Sequence, residues 1–581
     1  MGATDTFGRM MASVGMDAPE ISFSPSFDIV NAGVLLSLPA LLAQGLLQHA
    51  EAQFALPNGY YRLNSIFLLL SFMALARLKS VESLRYCAPG EWGKLSGLDR
   101  VPEVRTLRQK IALLAVDKKP ASWSAELCRQ WMKAAPEDAG ALYVDGHVRV
   151  YHGKLANLPR RYLAREKLCL RGSVDYWVNA MDGQPFFFAH KDVSSGLINA
   201  LENEIVPRLL EEVPNQPTPE TLQANPLLHR FTVIFDREGY SPDLLLSLKN
   251  KRIACISYHK YPEKDWSTEE FHSHQVKMPS GHTVEMKLAE RGIWLQKLWV
   301  REVRRLTQTG DQTPVISTDY QSDAVRLAAR MFARWSQENF FKYMRQNFHL
   351  DRLVEYGVEE IPGVENIKVI NPEYRRLDQE VRKSQGELNR KYADLGAMMM
   401  PPLSAPAADL ESFQETKSAL EETVSVLKDR ITKLKADRKA AGRHLTLDQL
   451  PEADRFTRCL PQAKHLLDTV KMVAYRAETA MVNILKEKMS RGNDDARSLL
   501  RAIYTTEADL IPNNDEKTLT VRLHHLANRS SDDAIGHLCA ELNSTETIFP
   551  DTDLRLVYEL VSDPTHQPLA LPAIPRAPTE P

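Results

Sequence analysis

The sequence predicts a mixed α/β core flanked by helical segments, on three observations. Two short apolar, β-favouring runs, Ala141-Leu-Tyr-Val-Asp145 and Phe231-Thr-Val-Ile-Phe-Asp236, each end in an aspartate. Buried strands that deliver an acid at their tips read this way. Around them the apolar period switches between two and 3.6, as in strands interleaved with helices. Finally, Arg334-Trp-Ser-Gln-Glu338-Asn-Phe-Phe-Lys342-Tyr-Met-Arg345 reads as a helix with Arg334, Glu338 and Arg345 on nearly one face.

Length and charge bound the rest. A chain of 581 residues suits roughly three or four domains. Its 73 basic and 75 acidic side chains create no global field, so any surface for a polyanion must be a local basic patch. The six cysteines are scattered without metal-binding spacing, which fits free thiols in a reducing cytoplasm. The first thirty residues lack the cationic start of a secretion signal, and the Met1–Thr6 match to a loose acylation pattern is too short to carry weight. The apolar stretches Gly33–Leu47 and Ile66–Ala76 fall short of the roughly 20 residues a membrane span needs. They read as buried helices, and no membrane partner is expected.

Residues 1–30 read as a loose leader, followed by an all-α N-terminal domain over 31–135 with a break at Pro57-Asn-Gly59. Within it, Pro89 to Lys110 gives a short helix, a Gly/Pro-containing turn and a second helix from Val104. Arg105, Arg108 and Lys110 lie in the first turns of that second helix. The shape is that of a helix-turn-helix, with cations placed for phosphate or groove contact.

From 141 the pattern turns to strands: a hairpin over Ala141–Asp145 and Val148–His152, a strand over Gln184–Lys191, then a helix over Ser195–Glu212. The strand ending in Asp236, a helix at Pro242–Leu248 and a strand at Ile253–Tyr258 complete the order β-β-β-α-β-α-β, that of an RNase H-like domain. This core is expected over 136–365, with an inserted β-subdomain at about 260–320 before the Glu338 helix. Heptads through Tyr374, Leu377, Val381, Leu388 and Leu395, and through Phe413, Leu420, Val424, Leu427, Ile431 and Leu434, predict an antiparallel coiled-coil hairpin over 366–445. A helical segment with a small β-α-β appendix follows over 446–562, then a Pro-rich tail over 563–581.

A lone aspartate at a strand end is commonly a cap or loop residue. Asp145 and Asp236 on neighbouring strands, with Glu338 coming over the same sheet edge, form a set. Hard carboxylate oxygens are the ligands Mg²⁺ prefers. Two such ions about 4 Å apart can activate one phosphodiester oxygen and stabilise the other. Asp145 would bridge two Mg²⁺ (or Mn²⁺) ions, Asp236 hold one and Glu338 the other. Arg334, Lys342 and Arg345 would hold DNA phosphates, unless the arginines pair with acids such as Asp351 or Glu355. Trp266, Trp294, Trp299 and Trp335 are core or base-stacking residues. His147 and His152 lie near the acids, and His272, His274 and His282 lack the cysteines of a zinc site.

With these residues the chain resembles the DDE transposases of bacterial insertion sequences that carry a β-rich insertion before the catalytic Glu. Their Tyr-x2-Arg-x3-Glu-x6-Lys signature matches here at Arg334 and Glu338, with Arg345 in place of Lys and Met331 where the family has Tyr. The segments Tyr143-Val-Asp145-Gly-His and Phe235-Asp236-Arg-Glu-Gly-Tyr-Ser resemble the family's first two catalytic strands. The resemblance, over about 80–360, implies metal-dependent nicking of double-stranded DNA at transposon ends and strand transfer into target DNA. It also implies a homodimer or larger synaptic complex, in a bacterial cytoplasm at the nucleoid. Two alternatives stand beside it: another RNase H-like nuclease, and an inactive DNA-binding or scaffold protein.

Overall fold

The structure is a computed structural model describing residues 4–15, 20–163, 166–191, 196–278, 281–352, 358–361, 368–397, 407–450, 455–489, 492–526 and 529–561. The chain divides into two compact units, residues 1–151, 161–357 and 460–581, and residues 152–160 with 358–459.

The first unit begins with α1 (Thr6–Ser13), β1 (Ser26–Ile29), α2 (Leu38–Ala43), α3 (Ala50–Gln53), α4 (Leu63–Leu75), α5 (Pro89–Lys94), α6 (Val104–Leu114) and α7 (Lys119–Ala134). It continues through β2 (Ala141–Val150), β3 (Arg160–Leu163), β4 (Leu168–Asn179), β5 (Pro185–Lys191), α8 (Leu197–Ala200), a π turn (Leu201–Ile205), α9 (Val206–Glu212), α10 (Pro219–Ala224), β6 (Thr232–Phe235), α11 (Pro242–Asn250) and β7 (Ala254–Tyr258). Next come β8 (His272–Lys277), β9 (Thr283–Leu295), β10 (Leu298–Leu306), β11 (Gln312–Ser317), α12 (Ala324–Phe332) and α13 (Trp335–Asn347).

The second unit holds β12 (Val358–Glu360), β13 (Lys368–Ile370), α14 (Pro372–Ala397), α15 (Ala407–Ala441), β14 (His444–Thr446) and β15 (Thr457–Cys459). Its two long helices pack antiparallel: Leu377 and Val381 meet Leu434, and Leu388 meets Val424 and Ile431. Arg438 pairs with Asp378 at 2.6 Å, and the β13–β14 ladder closes the base of the hairpin. The link expected at Met398–Pro406 lies outside the described residues. The chain returns to the first unit with α16 (Pro461–Leu485), α17 (Asn493–Thr505), β16 (Ala508–Asn513), β17 (Thr518–Leu523), α18 (Arg529–Asn543) and β18 (Arg555–Leu560).

Ten strands form one sheet, ordered β3-β4-β2-β6-β7-β11-β10-β9-β8 with β5 also on β4. β2, β6 and β7 run parallel at its centre. Helix α4 is apolar nearly all round and buried along most of its length, the state such a sequence demands. It packs on α16, and one apolar cluster runs from Ile29 to Tyr558 through the sheet and both helices. No helix among the described residues is long and apolar enough to cross a membrane.

Several expectations are corrected. Residues 141–152 do not form a hairpin. β2 is one strand over 141–150 and pairs antiparallel with β4, which periodicity did not reveal. Gly146, read as a turn, lies opposite Tyr176, whose ring would stand 2.9 Å from a Cβ there. The strands inserted before Glu338 form no separate subdomain; β11 pairs with β7, so they extend the central sheet.

Residues 1–30 are not a loose leader. α1 is tethered by the Arg9–Asp99 ion pair, and β1 pairs with β16 to complete a β1-β16-β17-β18 sheet. That pairing joins residues some 480 positions apart, beyond the reach of local pattern. For the same reason the N-terminal helices and the segment after 460 are parts of the first unit, neither a separate domain nor an appendix. Finally, residues 95–103 join α5 to α6, a longer connection than a helix-turn-helix uses.

Candidate active site

The parallel register fixes two acids together. Ala141 to Val144 pair in step with Thr232 to Phe235, so Asp145 and Asp236 are the next residues on adjacent strands. Asp236 leaves β6 as the cap of a short turn and accepts the Glu238 N–H at 2.8 Å. The Ser257 hydroxyl on β7 donates to its carbonyl at 3.2 Å. Asp145 accepts the Gly146 N–H at 2.8 Å and keeps only 19% side-chain exposure.

α13 supplies the third acid, and its placement is over-determined. Gln337, fully buried, donates through Nε2 to the carbonyl of Trp177 at 3.2 Å and to Asn179 Oδ1 at 2.9 Å. Ser336 donates to the Met181 carbonyl at 2.9 Å. Gly183, with φ +93°, turns β4 into β5 where a Cβ would stand 2.9 Å from the Ser336 carbonyl. The Tyr143 hydroxyl, one layer below Asp145, donates to the Arg330 carbonyl at the end of α12 at 2.6 Å. On the far side the Tyr343 hydroxyl donates to Glu478 of α16, a buried carboxylate also held by Arg77 and Arg497. Phe340, Phe341 and Met344 bury the remaining face.

Arg334, at the N-cap of α13, joins the acids. Its Nη1 donates to Asp145 Oδ2 at 2.9 Å and its Nη2 to Glu338 Oε1 at 2.9 Å. Burial pushes the Asp145 carboxyl up to about 6; Arg334 opposes the rise and the like charge of Asp236 adds to it. Among the described residues these three carboxylates do not converge within 4.8 Å of one another, the reach of one ion's ligands. The guanidinium stands between two of them. The donor set nonetheless suits a divalent cation: hard oxygens only, with a positive charge already accepted between Asp145 and Glu338.

Other residues singled out by sequence are placed differently. Arg345 Nε lies 3.9 Å from Asp351 Oδ2, the acid pairing weighed against a phosphate role, while Glu355 lies outside the described residues. His147 donates to Asp351 Oδ1 at 2.5 Å and stacks on Phe341, a structural position. Met331 is buried with Tyr143, Ile234 and Ile256, so the family's Tyr position is core here. Lys342 is exposed on α13 and faces a neighbouring groove. Arg108 pairs with Glu82 at 2.6 Å and Arg105 is exposed, whereas Lys110 is half-buried. All three sit on α6, which packs on the 81–86 turn and α16.

His272, His274 and His282 form no metal cluster among the described residues, and His152 is exposed in the second unit. Trp266 is buried beneath Arg291 and Arg304. Trp299 is 39% exposed, and Trp294 and Trp335 are 68% and 53% exposed.

Sequence reasoning missed Tyr143, Gln337 and Glu478. It also missed a buried charge cluster joining the sheet to α16. In that cluster Arg149 reaches Asp468 at 2.6 Å, and Lys464 reaches Asp175 at 2.8 Å and Asp468 at 3.2 Å. The available signal was polar residues inside apolar stripes: Gln337 in register with Phe340, Phe341 and Met344, and Lys464 with Asp468 one turn apart in an apolar helix.

A family model described as a transposase protein matches residues 1–562. The chain belongs to this transposase family, and interaction with DNA follows from that membership. No curated protein matches it.

Proposed function

We propose that the chain is a transposase of the Asp-Asp-Glu type, with Asp145, Asp236 and Glu338 as the acids of an RNase H-like core and Mg²⁺ or Mn²⁺ as its cofactor. The observation that carries this reading is the position of Asp145 and Asp236 at the same step of adjacent parallel strands, where β6 ends and β2 runs on, with Glu338 bound to Asp145 through Arg334.

Asp145, Asp236 and Glu338 would hold the metal. When bound, it supplies charge neutralisation at the scissile phosphate and an activated oxygen nucleophile. Asp145, held within β2, and Asp236, just past the end of β6, contribute ionised oxygens on a rigid sheet. Glu338 is the movable member: its side chain is 60% exposed, while the helix beneath it is fixed by Gln337 and Ser336. Arg334, released from the acids, can turn its fork onto a phosphate without losing charge. The reaction is nicking at the element's ends, freeing a 3′-hydroxyl that then attacks target DNA. The α14–α15 hairpin is assigned to assembly of the complex that holds two ends.

The test uses the full chain, Mg²⁺ and a labelled duplex spanning an end of the chain's own genomic element, with Asp236→Ala alongside. A nick at a fixed position, absent with the variant, and joining of that end to a second duplex are expected. Cleavage without joining would assign a nuclease; specific binding without cleavage would assign an architectural DNA-binding protein.

A further inference from the structure

A second feature lies on a neighbouring face of the Glu338 helix. A groove of about 890 Å³ runs between α13, α16 and α17, with Met278 and His282 at one end. Its cations are Lys342, Lys486, Arg497 and Arg501. Arg497 is shared with the buried Glu478. Arg501 is oriented by neutral groups alone, donating to Asn347 Oδ1 at 3.1 Å and Ser498 Oγ at 2.8 Å. Lys486 likewise donates to Asn483 Oδ1 at 2.8 Å. Lys342, Lys486 and Arg501 have no acidic partner among the described residues, so their charge is available to a ligand. The opposing acids on the lining are Asp182 and Asp494. The lining is thus net basic in a chain of net charge −2.

The groove also presents a flat apolar surface. Trp335 lines it with 53% of its surface exposed, and Asn339 and Asn483 offer amide donors and acceptors beside it. Cations free of acidic partners on each of the three bounding helices, an exposed indole and neutral amides are the elements of a single-strand nucleic-acid site: phosphates meet the cations and a base stacks on the ring. The volume falls in the range of small-ligand sites, about 300–1,000 Å³, which suits a few nucleotides of one strand rather than a turn of duplex.

Trp335 lies three residues before Glu338 and Lys342 four after it. A strand freed at the acids therefore has this groove as its adjacent charged path. We infer that the α13–α16–α17 groove binds a short single-stranded DNA segment, the strand released beside the cleavage site. The assignment to a released strand rests on the catalytic reading above; the single-strand preference stands on the groove itself.

The test is fluorescence polarisation of a labelled oligo-dT of about 12 nucleotides on the full chain without divalent metal, with an unlabelled duplex as competitor. We expect binding that weakens steeply between about 50 and 200 mM salt. A triple variant, Lys342→Ala with Lys486→Ala and Arg501→Ala, should lose affinity at least about tenfold, and Trp335→Ala about fivefold or more. All four side chains are exposed or on the groove wall, so circular dichroism should show folded variants. Asp236→Asn should bind the oligonucleotide as the unmodified chain does.

Unchanged oligo-dT binding by the folded triple variant overturns the inference. So does a duplex that displaces the oligonucleotide at equal concentration. If the unmodified chain fails to nick DNA while the triple variant still loses oligonucleotide binding, the catalytic reading falls and the groove assignment survives.

Discussion

The Arg334 guanidinium donates to Asp145 at 2.9 Å and, through its other terminal nitrogen, to Glu338 at the same distance. One side chain thus holds the strand acid and the helix acid in a single network. It sets a positive charge between the two carboxylates. A guanidinium does this with fixed fork geometry and permanent charge. Arg334→Gln should slow end nicking about 100-fold, the scale of losing a preorganised charge at a reacting phosphate. Arg334→Lys should recover only part of that loss, because charge returns without the fork. Single-turnover nicking rates check both.

The Asp145 carboxyl, pushed up to about 6 by burial and by Asp236 against the pull of Arg334, gives a pH dependence of defined sign. Without metal it carries a proton below about 6, so at limiting metal the affinity for the proposed ion, and nicking with it, should rise with pH up to that value and level off above it. For folding the sign is reversed. A raised acid favours the native state where it is protonated, and its ionisation works against folding above about 6. Metal-free Asp145→Asn should thus be at least as stable as the unmodified chain at pH 8, measured by thermal unfolding.

Gln337 fastens the Glu338 helix to β4. Gln337→Ala strands the Asn179 and Trp177 acceptors and should destabilise the first unit by about 2 kcal/mol. The denaturant midpoint should fall with its slope unchanged. Nicking should weaken as well, because Glu338 loses its rigid base.

Glu478 is fully buried between Arg77, Arg497 and Tyr343. Removing one member of a buried ionic group leaves uncompensated charge, at a cost of about 3–5 kcal/mol. Glu478→Ala should show that loss in urea unfolding, although Glu478 lies far from the acids in sequence.

The strands carrying Asp145 and Asp236 are legible in the sequence because Ala141–Val144 and Thr232–Phe235 are fully buried apolar runs each followed by an acid, although β2 runs on past Asp145 to Val150. The long helical hairpin is legible because its contacts repeat along the chain. What pattern conceals is long-range. β4 escapes pattern because its first four residues, outside the core, include Leu168 and Leu170, while its eight buried ones include Ser173, Asp175 and Asn179. The β1–β16 pairing depends on a four-residue strand with no local mark. The inserted strands read as a separate block because only three residue pairs, Val315 to Ser317 with Ile256 to Tyr258, attach them to the central sheet. Within the site, the acids are legible as carboxylates that follow apolar runs or open a helix, although Asp145 lies within its strand and not at its tip. Their supports, Gln337 and Tyr143, pass for ordinary core positions until the sheet brings their partners near.

The proposed joint hold of Asp145, Asp236 and Glu338 on a divalent metal ion is open to titration of the full chain with Mn²⁺ under electron paramagnetic resonance, beside Asp145→Asn, Asp236→Asn and Glu338→Gln. Saturable Mn²⁺ binding by the unmodified chain is expected, abolished by either aspartate substitution and weakened by the glutamate one, with all variants folded. Equal Mn²⁺ binding by all four proteins would contradict it.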